Sequence, residues 1–365
     1  MNGIREIDDG SWVRRHEGRI VYTDTDEHVA LILRTLGIDE AAWTATLDRY
    51  ADSVDATGPV SDRLDALAEA FRPASPHTHA VPVGGPWECP ACAAKGGHPT
   101  LARRCADGQP PLVYGACARC GHGHLLAGAA PSTIYEGDGY FQRRGADGVG
   151  YDDYRTEQEY RQAKGARLLE WIEQVAGLRS HAPSLLEVGS GFGFTLGAAV
   201  ARGWRAAGVD INPAAARGAR ALYGLETVTA TLGEALERGA IERRAWDIVL
   251  YQFVLEHLSK PEVELHHAAE AVAPGGYLAL VVPSMATFEI DVFGASYRSL
   301  RADHRHLFSV PSMRSYLAAE PFVEVTHRTT CSLHLLRGFL EPRELDGLYA
   351  NDRGPDLVFL ARRKF

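Results

Sequence analysis

The stretch LLEVGSGFGFTL, Leu185 to Leu196, sets Glu187 and three glycines, Gly189, Gly191 and Gly193, directly behind an apolar run. Glycines at a strand-to-helix turn let the backbone come close to a nucleotide-bearing ligand, since no side chain stands in the way. A dinucleotide fingerprint would need its third small residue at position 194, and that residue is Phe194, so a nicotinamide cofactor fits poorly. Tight turns also take glycine for conformational reasons alone, so the loop is weighed with its neighbours. Asp210 closes the next apolar run, AAGVDI, where a carboxylate can accept two charge-assisted hydrogen bonds from a ribose diol. A turn or capping acid ahead of Pro213 is the structural alternative for Asp210.

A second chemistry is written in CPAC (Cys89, Cys92) and CARC (Cys117, Cys120). Two such pairs are a ligand pattern for tetrahedral zinc, and four thiolates leave no open position for catalysis, so the metal would be structural. Four unligated buried thiols, or a set that draws on His98, Cys105, His122 or His124, are the alternatives, and Cys105 reads as a spare thiol.

The elements that must position these residues are legible as changes of pattern. Residues 1–80 carry helix-like spacing, in HVALILRTLG from His28 and AAWTATLDRYADSV from Ala41, and name no chemistry. FRPASPHTHAVPVGGP, Phe71 to Pro86, reads as a linker into a cysteine-rich module at 81–128. A long helix is expected from Asp153, with Thr156 and Glu159 as a capping box, Tyr160, Ala163, Leu168, Ile172, Val175 and Ala176 on its apolar face, and Gly177 as its stop. Short apolar runs then alternate with helical stretches from LLEV to YLALVVPS, with Pro213 as a helix start and Gly203 and Gly224 as stops. That alternation predicts an α/β domain over 129–365 built on a doubly wound parallel sheet, with ligands beyond the carboxyl ends of its strands.

The 365 residues, 45% of them hydrophobic and 23% charged, suffice for two or three folded domains. A net charge of -9 disfavours nucleic acid as a partner, and no apolar run is long enough to span a bilayer. No leader is visible, and cysteines in CxxC pairs suit a reducing compartment, so the expectation is a cytoplasmic protein.

In EVGSGFG, GVDINP, DIVLYQFVLEHLSKP and LVVPS the sequence resembles the class I S-adenosylmethionine-dependent methyltransferases over about residues 150–325. The resemblance implies a Rossmann-like sheet preceded by a small zinc ribbon and a mostly helical N-terminal region. It implies S-adenosyl-L-methionine at Glu187, Gly189, Ser190, Gly191, Gly193 and Asp210, with Ile211 packed on the adenine. Tyr154 and Gln252 are expected beside the same cofactor, and Tyr151, Glu256 and His257 near the pocket. The family often carries an acid after its third strand for the adenine amino group. Here the run is TATLGE, which leaves Thr231 or a backbone group.

Together with the cysteine knuckles and GYFQRRGADGVGYDDY, the chain looks like bacterial methyltransferases with an N-terminal zinc module, some of which act on nucleotide-linked deoxysugars. Those sugar enzymes carry a Tyr-x-Glu-His segment after the fifth strand for acid-base work. The corresponding residues are Arg301, Ala302, Asp303 and His304, so the acid and histidine persist and the tyrosine does not. The resemblance therefore implies His304 as acid-base residue with Asp303 to orient it and His257 nearby, while His306 is an alternative to His304. The expected reaction is methyl transfer to a small-molecule acceptor, a natural-product intermediate or nucleotide-linked sugar. A zinc-ribbon RNA methyltransferase, a transfer of another group, a catalytically idle scaffold and NAD chemistry are the competing readings.

Overall fold

The computed structural model describes residues 4–6, 12–16, 19–22, 39–53, 59–71, 87–95, 100–103, 111–135, 137, 139–142, 150–151, 153–178, 183–330 and 342–365. Among the described residues fourteen strands are numbered in chain order. β1 (Ile4–Glu6), β2 (Trp12–His16) and β3 (Arg19–Tyr22) form an antiparallel sheet. β4 (Thr100–Arg103), β5 (Leu112–Ala116) and β6 (Gly123–Ala127) form the cysteine-rich module, completed by β12 (His306–Leu307) in the order β12-β6-β5-β4. The main sheet runs β13-β14-β11-β10-β7-β8-β9, from β7 (Ser184–Val188), β8 (Arg205–Asp210), β9 (Thr227–Thr229), β10 (Trp246–Gln252), β11 (Val272–Pro283), β13 (Phe322–Thr330) and β14 (Asp356–Arg363).

The main sheet has apolar packing on both faces, as a doubly wound sheet requires. Successive residues of β10 show it: Val249 and Tyr251 enter one core, with Leu186, Leu278 and Leu280, while Ile248 and Leu250 enter the other, with Leu185, Ala279 and Val281. That period of two follows from the pleat. The sheet is mixed, not wholly parallel. β14 lies antiparallel between β11 and β13, a pairing that the alternation of runs does not encode.

Asn212 caps the helix Pro213–Tyr223 by accepting from Ala214 N, and left-handed Gly224 and Gly177 end their helices as expected. The predicted capping box does not form. Asp153 instead caps a short turn, Tyr154–Glu157, through Arg155 N, and the long helix runs Gln158–Ala176 with Gly165, Leu168, Leu169 and Ile172 buried. Tyr160 and Val175 are exposed, so the apolar stripe is narrower than the pattern suggested.

The N-terminal region is not purely helical, since β1–β3 precede the helices Glu40–Ser53 and Val60–Phe71. The His28 run and residues 72–86 of the expected linker lie outside the described residues. Val60–Phe71 packs on the helix Phe288–Phe293, with the Phe71 and Phe293 rings 5.1 Å apart and a buried Arg63–Glu344 ion pair alongside. The cysteine module is likewise joined to the main domain, because β12 pairs His306 with His124 and Leu307 with Gly123. No described helix is long and apolar enough to cross a membrane.

Candidate active site

The glycine loop leaves β7 with Gly189, Gly191 and Gly193 at φ of 69°, 53° and 74°, all left-handed. Only glycine adopts that conformation without strain. A Cβ on Gly189 would lie 2.4 Å from Val254 Cγ2, and one on Gly191 would lie 3.0 Å from the Tyr154 hydroxyl. The loop is tied to β8 by Gly189 N donating to Val209 O at 2.7 Å and by Gly191 N donating to Asp210 Oδ2 at 2.8 Å. Asp210 Oδ1 accepts from Asn212 N at 2.8 Å. A carboxylate offers about four acceptor sites. Each Asp210 oxygen therefore keeps capacity for one hydroxyl of a ribose diol, and Ile211, half exposed, stands beside it.

Other polar atoms around the loop have no hydrogen-bond partner among the described residues: Glu187 Oε2, Ser190 Oγ and Gln252 Oε1. Buried orphans of this kind ask for a ligand. Burial pushes the Glu187 carboxyl up to about 8, with the Asp210 charge adding to it, while hydrogen bonds from Thr195 and Leu196 pull it down. Phe253, directly after Gln252, is held at φ 57°, strain of a sort that clusters at ligand sites. Tyr154 packs over the loop against Phe141, Phe192 and Phe194, with the Arg161 guanidinium 4.7 Å from its ring. Thr231 has another task. Its side chain forms a capping box with Glu234 at the head of Leu232–Glu237, which favours the backbone alternative for an adenine amino group.

A second polar cluster is built from the turn Leu255–His257 after β10 and the segment before β12. His257 and His304 come together, ring centroids 4.9 Å apart. His257 Nδ1 lies 2.9 Å from Asp303 O, and His304 Nδ1 lies 2.9 Å from Ser299 O. Burial pushes both imidazoles below their ordinary range, so both rings are neutral near pH 7.

Asp303 does not orient His304 through its carboxylate. It makes a bidentate pair with Arg301, at 2.9 and 3.0 Å, and faces His257 at 3.7 Å; against the cost of burial, Arg301 holds it well below the usual carboxylate range. What Asp303 orients is His257, through its backbone carbonyl. His306 points the other way, into the cysteine module, where its Nδ1 lies 3.0 Å from His122 Nε2.

Sequence reasoning missed Tyr135, whose hydroxyl sits 2.8 Å from His257 Nδ1, because nothing in its neighbourhood carries a motif. It placed Glu256 near the pocket without seeing that this residue is wholly buried with neither carboxylate oxygen partnered among the described residues.

The four cysteines converge as the spacing implied. Their sulfurs all lie within 4.8 Å of one another, with Cys89 and Cys120 at 3.6 Å and Cys92 and Cys117 at 3.7 Å. Zinc–sulfur bonds of about 2.3 Å in a tetrahedron place sulfurs about 3.8 Å apart. A disulfide needs about 2.05 Å. Both knuckles bend alike, Ala93 N donating to Cys89 O and Gly121 N to Cys117 O, so the donor set and its spacing fit zinc. His98 and Cys105 lie outside the described residues.

The profile of a methyltransferase domain family matches residues 154–325. The chain is 30% identical over 196 residues to a ubiquinone biosynthesis O-methyltransferase of Azoarcus sp. (strain BH72), covering 53% of this chain and 72% of that protein. The chain belongs to the S-adenosylmethionine-dependent methyltransferases.

Among solved structures, this methyltransferase is similar to the CurJ carbon methyltransferase, at 17% identity and a TM-score of 0.43, spanning 61% of each chain. It is also similar to the 1,6-didemethyltoxoflavin-N1-methyltransferase of Burkholderia thailandensis, at 16% identity and a TM-score of 0.40, over 68% of this chain and 97% of that one.

The Glu187 carboxyl yields a pH prediction for this methyltransferase. The cofactor carries an ammonium and a sulfonium and favours ionised Glu187, whose proton must leave below about pH 8. Cofactor affinity should therefore rise with pH up to about 8, by as much as tenfold per unit, with proton release on binding. Calorimetry in buffers of different ionisation enthalpy reads both. An affinity that does not change from about pH 6 to 8, or that has the same slope in Glu187→Gln, would remove Glu187 from the cofactor site.

Proposed function

We propose that the protein transfers a methyl group from S-adenosyl-L-methionine to a small-molecule acceptor held against Tyr135, His257 and His304. The observation that carries the reading is that Asp210, anchored to the glycine loop, and the His257–His304 pair stand at the same carboxyl edge of the sheet, beyond β8 and β10. Ligands of open α/β sheets bind along that edge.

When bound, the sulfonium supplies an electrophilic methyl group, and the protein's task is in-line positioning of the acceptor. Asp210 holds the ribose, Glu187 and the loop amides hold the methionine end, and Tyr154 closes over the loop. The neutral rings of His257 and His304 face the acceptor, where His304 takes its proton. The O-methyltransferase relative supports oxygen as the accepting atom. The charge of -9 speaks against RNA.

The test is product mass after incubation with methyl-labelled S-adenosyl-L-methionine and a panel of small hydroxylated, amino and nucleotide-sugar acceptors. One labelled methyl per product is expected, with equimolar S-adenosylhomocysteine. His304→Ala should lower turnover about 10²-fold or more, whereas His306→Ala should act mainly on stability. Label found only in RNA, or full turnover with an unchanged pH profile in His304→Ala, would overturn this assignment.

A further inference from the structure

Glu256, His257 and His304 present one ligand atom each, all within 4.8 Å of one another, from two segments that close the acceptor side. Three atoms mutually at that limit sit about 2.8 Å from their common centre, about 0.6–0.8 Å beyond metal–nitrogen and metal–oxygen bonds of about 2.0–2.2 Å. Small side-chain rotations close the gap.

The hydrogen bonding is already that of a metal site. A carbonyl only accepts, so Nδ1 of His304 carries the proton that points at Ser299 O, while Nδ1 of His257 lies between the Asp303 carbonyl and the Tyr135 hydroxyl. Nε2 is then the lone-pair nitrogen of His304, and the His257 tautomer that donates to Asp303 O is arranged in the same way; an imidazole that donates its other N–H to a backbone carbonyl is how metal-bound histidines are held. Tyr135 completes the support. Its hydroxyl lies 2.8 Å from His257 Nδ1 and donates to Asp303 O at 3.4 Å.

Glu256 supplies the second argument. The side chain is fully buried and neither oxygen has a partner among the described residues. The nearby guanidinium of Arg301 is spent on Asp303 in a bidentate pair. A buried carboxylate without a counter-charge is too costly to keep ionised. A cation between it and the two imidazoles resolves that cost.

We propose that Glu256, His257 and His304 form a second metal site, distinct from the four cysteines, that binds a divalent transition-metal ion and presents it to a hydroxyl of the acceptor. Two imidazoles and one carboxylate select zinc, iron(II), manganese(II) or cobalt(II) over calcium and magnesium, which prefer oxygen ligands. Three protein ligands leave a coordination position open, unlike the closed four-thiolate site.

The role in catalysis rests on the methyl-transfer reading. A hydroxyl on the metal loses its proton to solvent more readily. Its oxygen lone pair becomes the bond to the methyl carbon while the carbon–sulfur pair withdraws onto sulfur. In the metal-loaded chain His304 acts as a ligand, and the acidified hydroxyl replaces the proton transfer to its ring that the metal-free chain would use.

The experiment is a Co2+ titration of the metal-free full chain, followed by absorbance, with cofactor affinity measured separately by calorimetry. The four-cysteine site gives intense thiolate-to-cobalt bands in the near ultraviolet. The proposed site adds a second equivalent with only weak visible ligand-field bands. Glu256→Gln and His304→Gln should each lose that second equivalent and keep the thiolate bands, which report that the fold survives.

Failure of the wild-type chain to show any cobalt signal dependent on Glu256, or retention of the second equivalent in both variants, overturns the site. A chain that binds the second Co2+ but no S-adenosyl-L-methionine would overturn the methyl-transfer reading and leave the metal site standing.

Discussion

Asp210→Ala is expected to weaken S-adenosyl-L-methionine binding by more than about tenfold, because it removes two charge-assisted acceptors worth about 1.5–3 kcal/mol each. The geometry makes the loss larger than that of an ordinary surface acid. One carboxylate oxygen already fixes Gly191 N and the other Asn212 N, so the same side chain that meets the ribose sets the spacing between the loop and the start of Pro213–Tyr223. Burial raises the carboxyl of Asp210, and the hydrogen bonds from Asn212 N and Gly191 N oppose that rise.

Asp210→Asn keeps one acceptor oxygen and should fall between wild type and alanine. Calorimetry with a parallel melting curve separates lost ribose contacts from a loosened loop: a folded alanine variant with unchanged affinity would show that Asp210 is only a turn residue.

What the sequence made legible was local. The apolar run, three glycines and Asp210 lie within a span where periodicity and turn chemistry decide the structure, and the turn forms as expected. Gly177 and Gly224 end helices because the left-handed cap is set by a single residue.

Misreadings arose where a tertiary contact chooses among local options. Thr156 and Glu159 match a capping box, yet Asp153 wins the turn, and Tyr160 and Val175 fit the apolar stripe of a helix that uses a narrower one. The reversal of β14 between β11 and β13 is a long-range pairing with no sequence signature. Asp303 was the most instructive case. Its place beside His304 in sequence suggested a shared task, but adjacent residues in an irregular segment point apart, and Asp303 turns to Arg301 while its carbonyl serves His257.

Cys120→Ser is expected to abolish thiolate-bound zinc, lower the melting temperature and reduce turnover at least about tenfold while leaving cofactor affinity close to wild type. Zinc binding in such small modules contributes free energy directly to folding, about 10–16 kcal/mol in isolated zinc-finger peptides. Burial pushes the Cys89 thiol up to about 11, so a nearby cation is what favours its thiolate.

The effect on turnover follows from β12. Ser309 donates to Cys120 O, the β6 strand pairs with His306 and Leu307, and Leu125 N donates to Arg305 O at 2.9 Å, while Arg305 N donates in turn to Glu256 O. The Tyr114 hydroxyl of β5 reaches Arg301 O at 2.6 Å and also His304 O. The module therefore holds the segment that carries His304, a route from zinc to chemistry that the cysteine spacing alone did not reveal. Asp210 and the glycine loop make no hydrogen bond to the module among the described residues, which is why binding and turnover should separate. The check is metal analysis, melting and steady-state kinetics on the same preparation. Metal-free protein with full stability and activity would refute the structural zinc, and an equal loss of cofactor affinity and turnover would refute the route through β12.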